Sequence, residues 1–249
     1  MPVIQSTMTS HTVAGSHYQF SAARIEELGA TEYTLGVVVL DVSGSTSPFR
    51  DDMEQALKSV VDACRRNPRA DNMMLRVVKF DDTVTEIHGF KPLPGCSESD
   101  YDNCLRGGGT TALYDACYTS IQSAIAYAEA LNDHDFGVNA VVFIVTDGCE
   151  YPKGNSVATR KMIKDALASG VRAEQLESVT SVLIGVNADD ADLAAYLEQL
   201  RSDCGFSQFV ALDQADPSTL ARLGDFISRS VSAQSTSLGS GSVTAPLVF

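Results

Sequence analysis

The chain has 249 residues, 44% of them hydrophobic and 20% charged, which is the composition of a soluble globular protein with a substantial core. Its 18 basic and 32 acidic residues give a formal net charge of −14, which argues against nucleic acid and anionic membranes as partners. No apolar segment approaches the length of a membrane span, and residues 1–23 lack a signal-peptide pattern. We therefore expect a cytoplasmic protein with reduced cysteines.

The first half of the chain predicts one strand, one helix and one hairpin after a polar start. Residues 1–18 are predicted to be a flexible leader, and residues 19–30 a short helix that ends at Gly29. An aliphatic run before Asp41 predicts a buried strand, and an apolar stripe between residues 49 and 64 predicts an amphipathic helix. Two strand-like runs joined at Asp81 and Asp82 predict a hairpin.

The second half alternates helices with strands. The predicted elements, in order, are a helix after Thr110, a strand before Asp147, a helix near 156–169, a strand at 178–186, a helix near 188–200, a strand at 207–213 and a helix at 219–231. This alternation predicts an α/β, Rossmann-like, doubly wound fold: a mainly parallel sheet with one antiparallel edge strand and helices on both faces. We expect one domain at 19–232, followed by a flexible Ser/Gly-rich tail at 233–249.

Two of the predicted strands end in an acidic residue set among hydroxyls. Asp41 is followed by Ser43 and Ser45, and the later strand ends at Thr146 and Asp147. Between these segments, glycines 107–109 lead to Thr110 at the start of a helix. Because ligands bind beyond the carboxyl ends of strands in open α/β sheets, we expect these oxygens to converge there. Such ligands suit a hard cation, with Mg²⁺ expected first and Mn²⁺ or Ca²⁺ as alternatives.

The three segments together resemble the metal-ion-dependent adhesion site of von Willebrand factor type A domains. DVSGS at 41–45, GGT at 108–110 and TDG at 146–148 occur in the family's order, each at a predicted strand end or loop. The resemblance covers about residues 34–232. It implies that Asp41, Ser43 and Ser45 ligate the metal, while Thr110 or Asp147 exchanges between direct and water-mediated contact.

The same resemblance implies a function. In that family an Asp or Glu from a protein partner completes the metal's coordination, so we expect a protein–protein interaction module and not an enzyme. Among the subfamilies, the chain is similar to stand-alone bacterial proteins of the tellurite-resistance and stress-associated kind. We therefore expect a stress, signalling or ATPase-associated complex in the cytoplasm. The sequence does not identify the partner, the pathway or the oligomeric state.

Two other functions stay open. Asp41 at the end of a strand is also typical of phosphoryl-transfer enzymes with an aspartyl nucleophile, but Ser43 stands where such phosphatases carry a second acid. Adhesion or particle assembly is the other alternative. Cys96 and Cys104 lie in one loop, yet no metal-ligand spacing supports a zinc site there. Tyr114, Glu150 and the 94–107 loop are candidates for the rim of the metal face.

Overall fold

An eight-stranded sheet with helices on both faces forms the core of the protein. The computed structural model describes residues 7–13, 17–152, 156–172, 176–241 and 247–249. The strands are β1 (Met8–Thr12), β2 (Gln19–Ala23), β3 (Glu32–Asp41), β4 (Met73–Phe80), β5 (Val84–Pro92), β6 (Gly137–Thr146), β7 (Val179–Val186) and β8 (Gln208–Leu212). The helices are α1 (Arg50–Arg65), α2 (Leu113–Asn132), α3 (Arg160–Arg172), α4 (Ala191–Cys204) and α5 (Pro217–Ser240).

The strand order is β1-β2-β5-β4-β3-β6-β7-β8, and β3, β4, β6, β7 and β8 run parallel to one another. This confirms the predicted doubly wound, mainly parallel sheet. The hairpin of β4 and β5 is antiparallel, as predicted. However, β5 is not at the edge of the sheet, because β2 pairs with it in parallel and β1 pairs with β2 in antiparallel orientation.

The central strands are buried on both faces, which explains their unbroken aliphatic sequences. In β3 every residue after Glu32 is buried, and β6 is buried throughout after Gly137. Helices α2, α3 and α4 pack on one face, while α1 and α5 pack on the other. Because helices cover both faces of β3 and β6, the carboxyl ends of these strands are held in fixed positions. The candidate site is built on those ends.

The N-terminal region differs from its prediction. Residues 8–12, predicted as part of a flexible leader, form β1, and the helix predicted at 19–30 is replaced by β2 and a short 3₁₀ turn at Ile25–Glu27. The reason is close packing at Gly89 of β5, where an added Cβ would lie 1.8 Å from the Ser21 carbonyl oxygen. The absence of a side chain lets β2 approach β5, a tertiary effect that overrides local sequence preference.

A buried ion pair joins β2 to the hairpin. The Arg76 Nε donates to Glu86 Oε2 at 3.2 Å, and both side chains are almost fully buried. The Arg76 Nη2 also donates to the Tyr18 hydroxyl at 2.6 Å. Glu86 accepts hydrogen bonds from the backbone N–H and the hydroxyl of Ser21. The Glu86 side chain, which belongs to β5, therefore links Arg76 of β4 to Ser21 of β2.

The C-terminal region also differs from its prediction. The flexible tail was predicted from residue 233, but α5 continues to Ser240 and ends at Gly241, whose φ of 65° terminates the helix. Asn139 of β6 donates to the Gln234 carbonyl at 2.8 Å, and Arg69 donates to the Ser235 hydroxyl at 3.0 Å. These polar contacts hold a Ser-rich segment as helix. The division into domains stays a prediction.

Within the described parts of the chain, no helix is both long enough and apolar enough to cross a membrane.

Candidate functional site

The candidate site lies where β3 and β6 end side by side. In the parallel register Leu40 pairs with Val145, so Asp41 and Thr146 are neighbours at the edge of the sheet. The chain passes from β3 to β4 on one side and returns to β6 on the other. Such a reversal of strand order opens a crevice at the carboxyl ends of the strands. The fold therefore delivers Asp41 and Asp147 to one crevice.

Four of the five predicted ligands are joined in one hydrogen-bonded network. The Ser45 hydroxyl donates to Asp147 Oδ1 at 2.8 Å, and the hydroxyls of Ser43 and Ser45 are 3.2 Å apart. The Ser43 backbone N–H donates to Asp41 Oδ1 at 2.8 Å. Thr146 donates its hydroxyl to Asp41 Oδ2 at 2.7 Å. Asp41, Ser43, Ser45 and Asp147 therefore lie together at the ends of β3 and β6, and their role as metal ligands stays a prediction.

Thr110, the fifth predicted ligand, has a different partner. Its backbone N–H donates to Asp82 Oδ1 at 2.6 Å, and its hydroxyl donates to the same oxygen. Asp82 lies in the turn between β4 and β5. The loop of Thr110 still contacts the rest of the site, since the Gly44 N–H donates to the Gly109 carbonyl at 3.2 Å. Sequence reasoning placed Asp82 in a turn and missed its contact with Thr110.

Two glycines before Thr110 are required by close packing. A Cβ on Gly107 would lie 2.4 Å from Cγ2 of Val42, and one on Gly109 would lie 2.7 Å from the Asp82 carboxylate. Gly109 also has a φ of 93°, a conformation that side chains rarely adopt. The glycine run therefore packs against Val42 and Gly44 of the Asp41–Ser45 segment, directly before Thr110.

Arg50 connects the two loops of the site, and sequence analysis missed it. Its guanidinium donates to the carbonyls of Val42 at 2.7 Å, Ser43 at 2.6 Å and Gly107 at 3.0 Å. It also donates to the Thr46 hydroxyl at 3.1 Å. The planar, multi-donor geometry of arginine suits this role, which the single ammonium group of lysine would not fill. The sequence offered one signal: an arginine at the start of the helix that follows DVSGS.

Burial of two carboxylates close together raises the pKa of both. Asp41 is 1% exposed, and burial raises its pKa to about 6, with a smaller contribution from the charge of Asp147. Hydrogen bonds from Ser43 and Thr146 oppose this rise. Burial also raises the pKa of Asp147, while the Ser45 hydroxyl and the Arg50 charge oppose it. Each carboxylate therefore carries a charge that its surroundings only partly compensate.

This raised pKa predicts how the stability of the metal-free protein depends on pH. The folded-state pKa of Asp41 lies above the unfolded value of 3.8, so its ionisation destabilises the fold as pH rises from about 4 to about 6. In EDTA we expect Asp41→Asn to match the wild type near pH 4 and to exceed its free energy of unfolding by up to about 3 kcal/mol at pH 7. Urea unfolding at several pH values measures this difference. A constant difference across that range would contradict it.

The donor set fits a hard divalent cation. It offers two carboxylates and three hydroxyls from three chain segments, the oxygen ligands that Mg²⁺, Mn²⁺ and Ca²⁺ prefer. No group of three or more His, Cys, Asp or Glu side chains able to hold a metal ion occurs in the described residues, so such a site depends on the hydroxyls of Ser43, Ser45 and Thr110. A bound cation would offset the charge of the buried pair Asp41 and Asp147.

The predicted rim residues have structural contacts of their own. Glu150 accepts from the Tyr114 backbone N–H at 2.7 Å, at the first turn of α2. The Tyr114 hydroxyl lies 3.0 Å from that of Tyr196 and accepts from the Arg160 Nε at 2.7 Å. The 94–107 loop is fixed by Lys79, whose ammonium donates to two of its carbonyls. A role in specificity stays a prediction for all of them.

The remaining polar candidates have no part in the site. Cys96 is buried, and none of the six cysteines forms a disulfide. His88 is buried, with Nε2 2.8 Å from the Tyr101 hydroxyl. Burial lowers its pKa to about 4, so it is neutral at pH 7. Tyr101 itself belongs to the acidic segment 98–102 and anchors that segment in the core.

No protein-family profile matches the chain, and no curated protein matches its sequence. Solved structures share its fold at low identity. The PilB minor pilin from Streptococcus sanguinis superposes with a TM-score of 0.58 at 13% identity, over 85% of this chain and 64% of the pilin. The pilus adhesin SpaC from Lactobacillus rhamnosus GG gives a TM-score of 0.59 at 12% identity, over 86% of this chain and 31% of the adhesin.

Proximal thread matrix protein 1 from the mussel byssus gives a TM-score of 0.53 at 19% identity, over 81% of this chain and 47% of that protein. A second structure of the mussel protein has a zinc-occupied metal-ion-dependent adhesion site, and its TM-score is 0.50. The chain thus spans from about one third to just under two thirds of the length of these structures. At these identities the likeness establishes the fold alone, which is a von Willebrand A-like α/β fold.

Proposed function

We propose that the chain is a Mg²⁺-dependent protein-binding module. Asp41, Ser43, Ser45, Thr110 and Asp147 would hold the ion, and an Asp or Glu of a protein partner would complete its coordination. The observation that carries this proposal is the hydrogen-bonded network of Asp41, Ser43, Ser45 and Asp147 at the carboxyl ends of β3 and β6. The zinc-occupied site of the mussel protein supports a divalent metal in this fold.

The coordination chemistry explains why the partner would supply a carboxylate. Mg²⁺ prefers about six oxygen ligands in near-octahedral geometry and usually keeps an exchangeable position. Five side chains leave one position open toward solvent. A carboxylate is a hard anionic ligand and binds such a position more strongly than a neutral oxygen does. The negative net charge of the chain means that attraction for an acidic partner residue would come from the metal.

We further propose binding and not catalysis. Both carboxylate oxygens of Asp41 accept hydrogen bonds, from the Ser43 N–H and from the Thr146 hydroxyl. An oxygen engaged in this way is a weaker nucleophile than a free one. Phosphoryl transfer through Asp41 is the alternative. Steady hydrolysis of a phosphate ester that disappears in Asp41→Asn would favour the alternative.

We also propose that the module works in the cytoplasm, in a bacterial stress, signalling or ATPase-associated complex. Six free cysteines support a reducing compartment. Adhesion or particle assembly is the second candidate, since a minor pilin and a pilus adhesin share the fold. Cell fractionation distinguishes a cytoplasmic protein from one in an adhesive structure or particle, whether or not the protein binds a metal.

Affinity capture from a native lysate tests the proposed binding function. The wild type is used in Mg²⁺ and in EDTA, alongside Asp41→Ala and the control Asp71→Ala. Asp71 is an exposed residue before β4, at the opposite end of the sheet from the site. We expect proteins retained by the wild type and Asp71→Ala in Mg²⁺ and lost in EDTA and with Asp41→Ala. Identical capture under all conditions would contradict metal-dependent binding.

A further inference from the structure

Asp82, which is not among the predicted ligands, contacts Thr110, which is one of them. Two donors of Thr110, the backbone N–H and the hydroxyl, point at one oxygen of Asp82. A pair of bonds to a single acceptor fixes both the backbone and the side-chain torsion of Thr110. The contact therefore sets the orientation of one candidate metal ligand from outside the ligand set.

The direction of the hydroxyl bond matters for the metal. A hydroxyl has one proton and two lone pairs. Because Thr110 donates its proton to Asp82, its lone pairs are left to face other groups. Because its proton is already engaged, the Thr110 hydroxyl oxygen presents only lone pairs, which is what coordination of a cation requires. Without Asp82 the hydroxyl would be free to rotate and to donate its proton elsewhere.

The glycine loop transmits this contact to the rest of the site. Gly109 packs so closely against Asp82 that a Cβ there would lie 2.7 Å from the carboxylate. The Gly109 carbonyl in turn accepts from the Gly44 N–H at 3.2 Å, between Ser43 and Ser45. The position of Thr110 relative to the two serines therefore depends on Asp82.

Asp82 is itself outside the proposed ligand set. Asp41, Asp147 and Asp82 do not form a three-carboxylate group, since no metal-holding group of that size exists among the described residues. We propose that Asp82 is a positioning residue, which orients the Thr110 hydroxyl toward a cation held by Asp41, Ser43, Ser45 and Asp147. This inference rests on the proposed metal-binding function and identifies the residue that orients one of its ligands.

Calorimetric titration of the purified protein with Mg²⁺ tests this role. Substituting groups that orient metal ligands typically weakens affinity by about 10- to 100-fold, and we expect a loss of this size for Asp82→Ala. Asp82→Asn should stay within about threefold of the wild type, because its amide oxygen can accept both bonds from Thr110. An equal loss in Asp82→Asn and Asp82→Ala would overturn the inference by showing that the charge itself is required.

A double-mutant cycle adds a second criterion. If Asp82 acts through Thr110, then Asp82→Ala should cause no further loss of affinity in a Thr110→Ala background. Additive losses would overturn the inference. Hydrogen exchange at the Thr110 amide should accelerate in Asp82→Ala and stay slow in Asp82→Asn. This measurement checks the contact in the absence of metal.

The experiment separates two kinds of failure. A wild type that does not bind Mg²⁺ overturns the proposed function together with this inference. A wild type that binds Mg²⁺ with the same affinity as Asp82→Ala overturns the inference alone. Unfolding in urea confirms that each variant is folded before titration.

Discussion

Asp41→Ala is expected to abolish Mg²⁺ binding and to leave the fold intact. Asp41 is one of two carboxylates in the candidate site, and both of its oxygens are held in place by hydrogen bonds. Changes beside metal ligands already lower affinity by about 10- to 100-fold, so the loss of a charged ligand should exceed about 100-fold. Titration calorimetry of the wild type and the variant with Mg²⁺ measures this loss.

The fold should survive because two energetic effects oppose each other. The variant leaves the Ser43 N–H without its acceptor, at a cost of about 1–3 kcal/mol if that group stays buried, while the Thr146 hydroxyl keeps the Gly148 carbonyl at 3.3 Å as an acceptor. It also removes a buried carboxylate whose raised pKa corresponds to about 3 kcal/mol of destabilisation at pH 7. We therefore expect a modest change in the free energy of unfolding in EDTA.

Added Mg²⁺ should separate the two proteins. A ligand at about 100 times its dissociation constant stabilises a fold by about 2.7 kcal/mol. We expect this gain in the wild type and in the control Asp71→Ala, and none in Asp41→Ala. Unfolding of Asp41→Ala in EDTA, or equal stabilisation of all three proteins by Mg²⁺, would contradict the assignment of Asp41.

Glu86→Leu is expected to be the most destabilising single change outside the site. It removes the only carboxylate recorded within salt-bridge distance of the buried Arg76 among the described residues. It also removes the acceptor for the Ser21 hydroxyl and N–H. Breaking a buried pair by removing one partner typically costs about 3–5 kcal/mol, because the other charge is left buried without compensation. Urea denaturation gives the change in free energy.

The matched control replaces both members of the pair. In Arg76→Met/Glu86→Leu no charge is left buried, and replacement of a buried pair by apolar residues is often neutral. We expect the double variant to recover most of the stability lost in Glu86→Leu. A double variant as unstable as the single one would show that hydrogen bonding to Ser21, and not charge burial, dominates.

The grouping of Asp41, Ser43, Ser45 and Asp147 could be predicted from the sequence because these residues follow strand ends. Unbroken aliphatic runs identified β3 and β6, and parallel strands bring their carboxyl ends to one edge of a sheet. The convergence of Asp41 with Asp147 follows from that argument. The glycines before Thr110 indicated a turn, and the structure adds that Gly107 and Gly109 leave no room for a Cβ.

The missed features depend on contacts between distant segments. Arg50 offers one weak local signal, its place at the start of the helix after DVSGS, and Asp82 offers only its place in a turn, since each has carbonyl or hydroxyl partners in another loop. Strand β2 can approach β5 because Gly89 has no side chain, and Gly89 lies 68 positions along the chain from Ser21. The last turns of α5 are Ser-rich, a composition that predicts a flexible tail, but contacts such as Asn139 to Gln234 hold them in place.

Diffraction from crystals soaked in Mn²⁺ tests the central claim most directly. Mn²⁺ accepts the same oxygen ligands as Mg²⁺ and scatters anomalously, so its position can be located without assumptions about ligands. We predict one anomalous peak in the crevice beyond β3 and β6, in contact with Asp41, Ser43 and Ser45, and its loss in crystals of Asp41→Ala. A crevice without a peak at saturating Mn²⁺, or a peak bound only by other residues, would contradict the account.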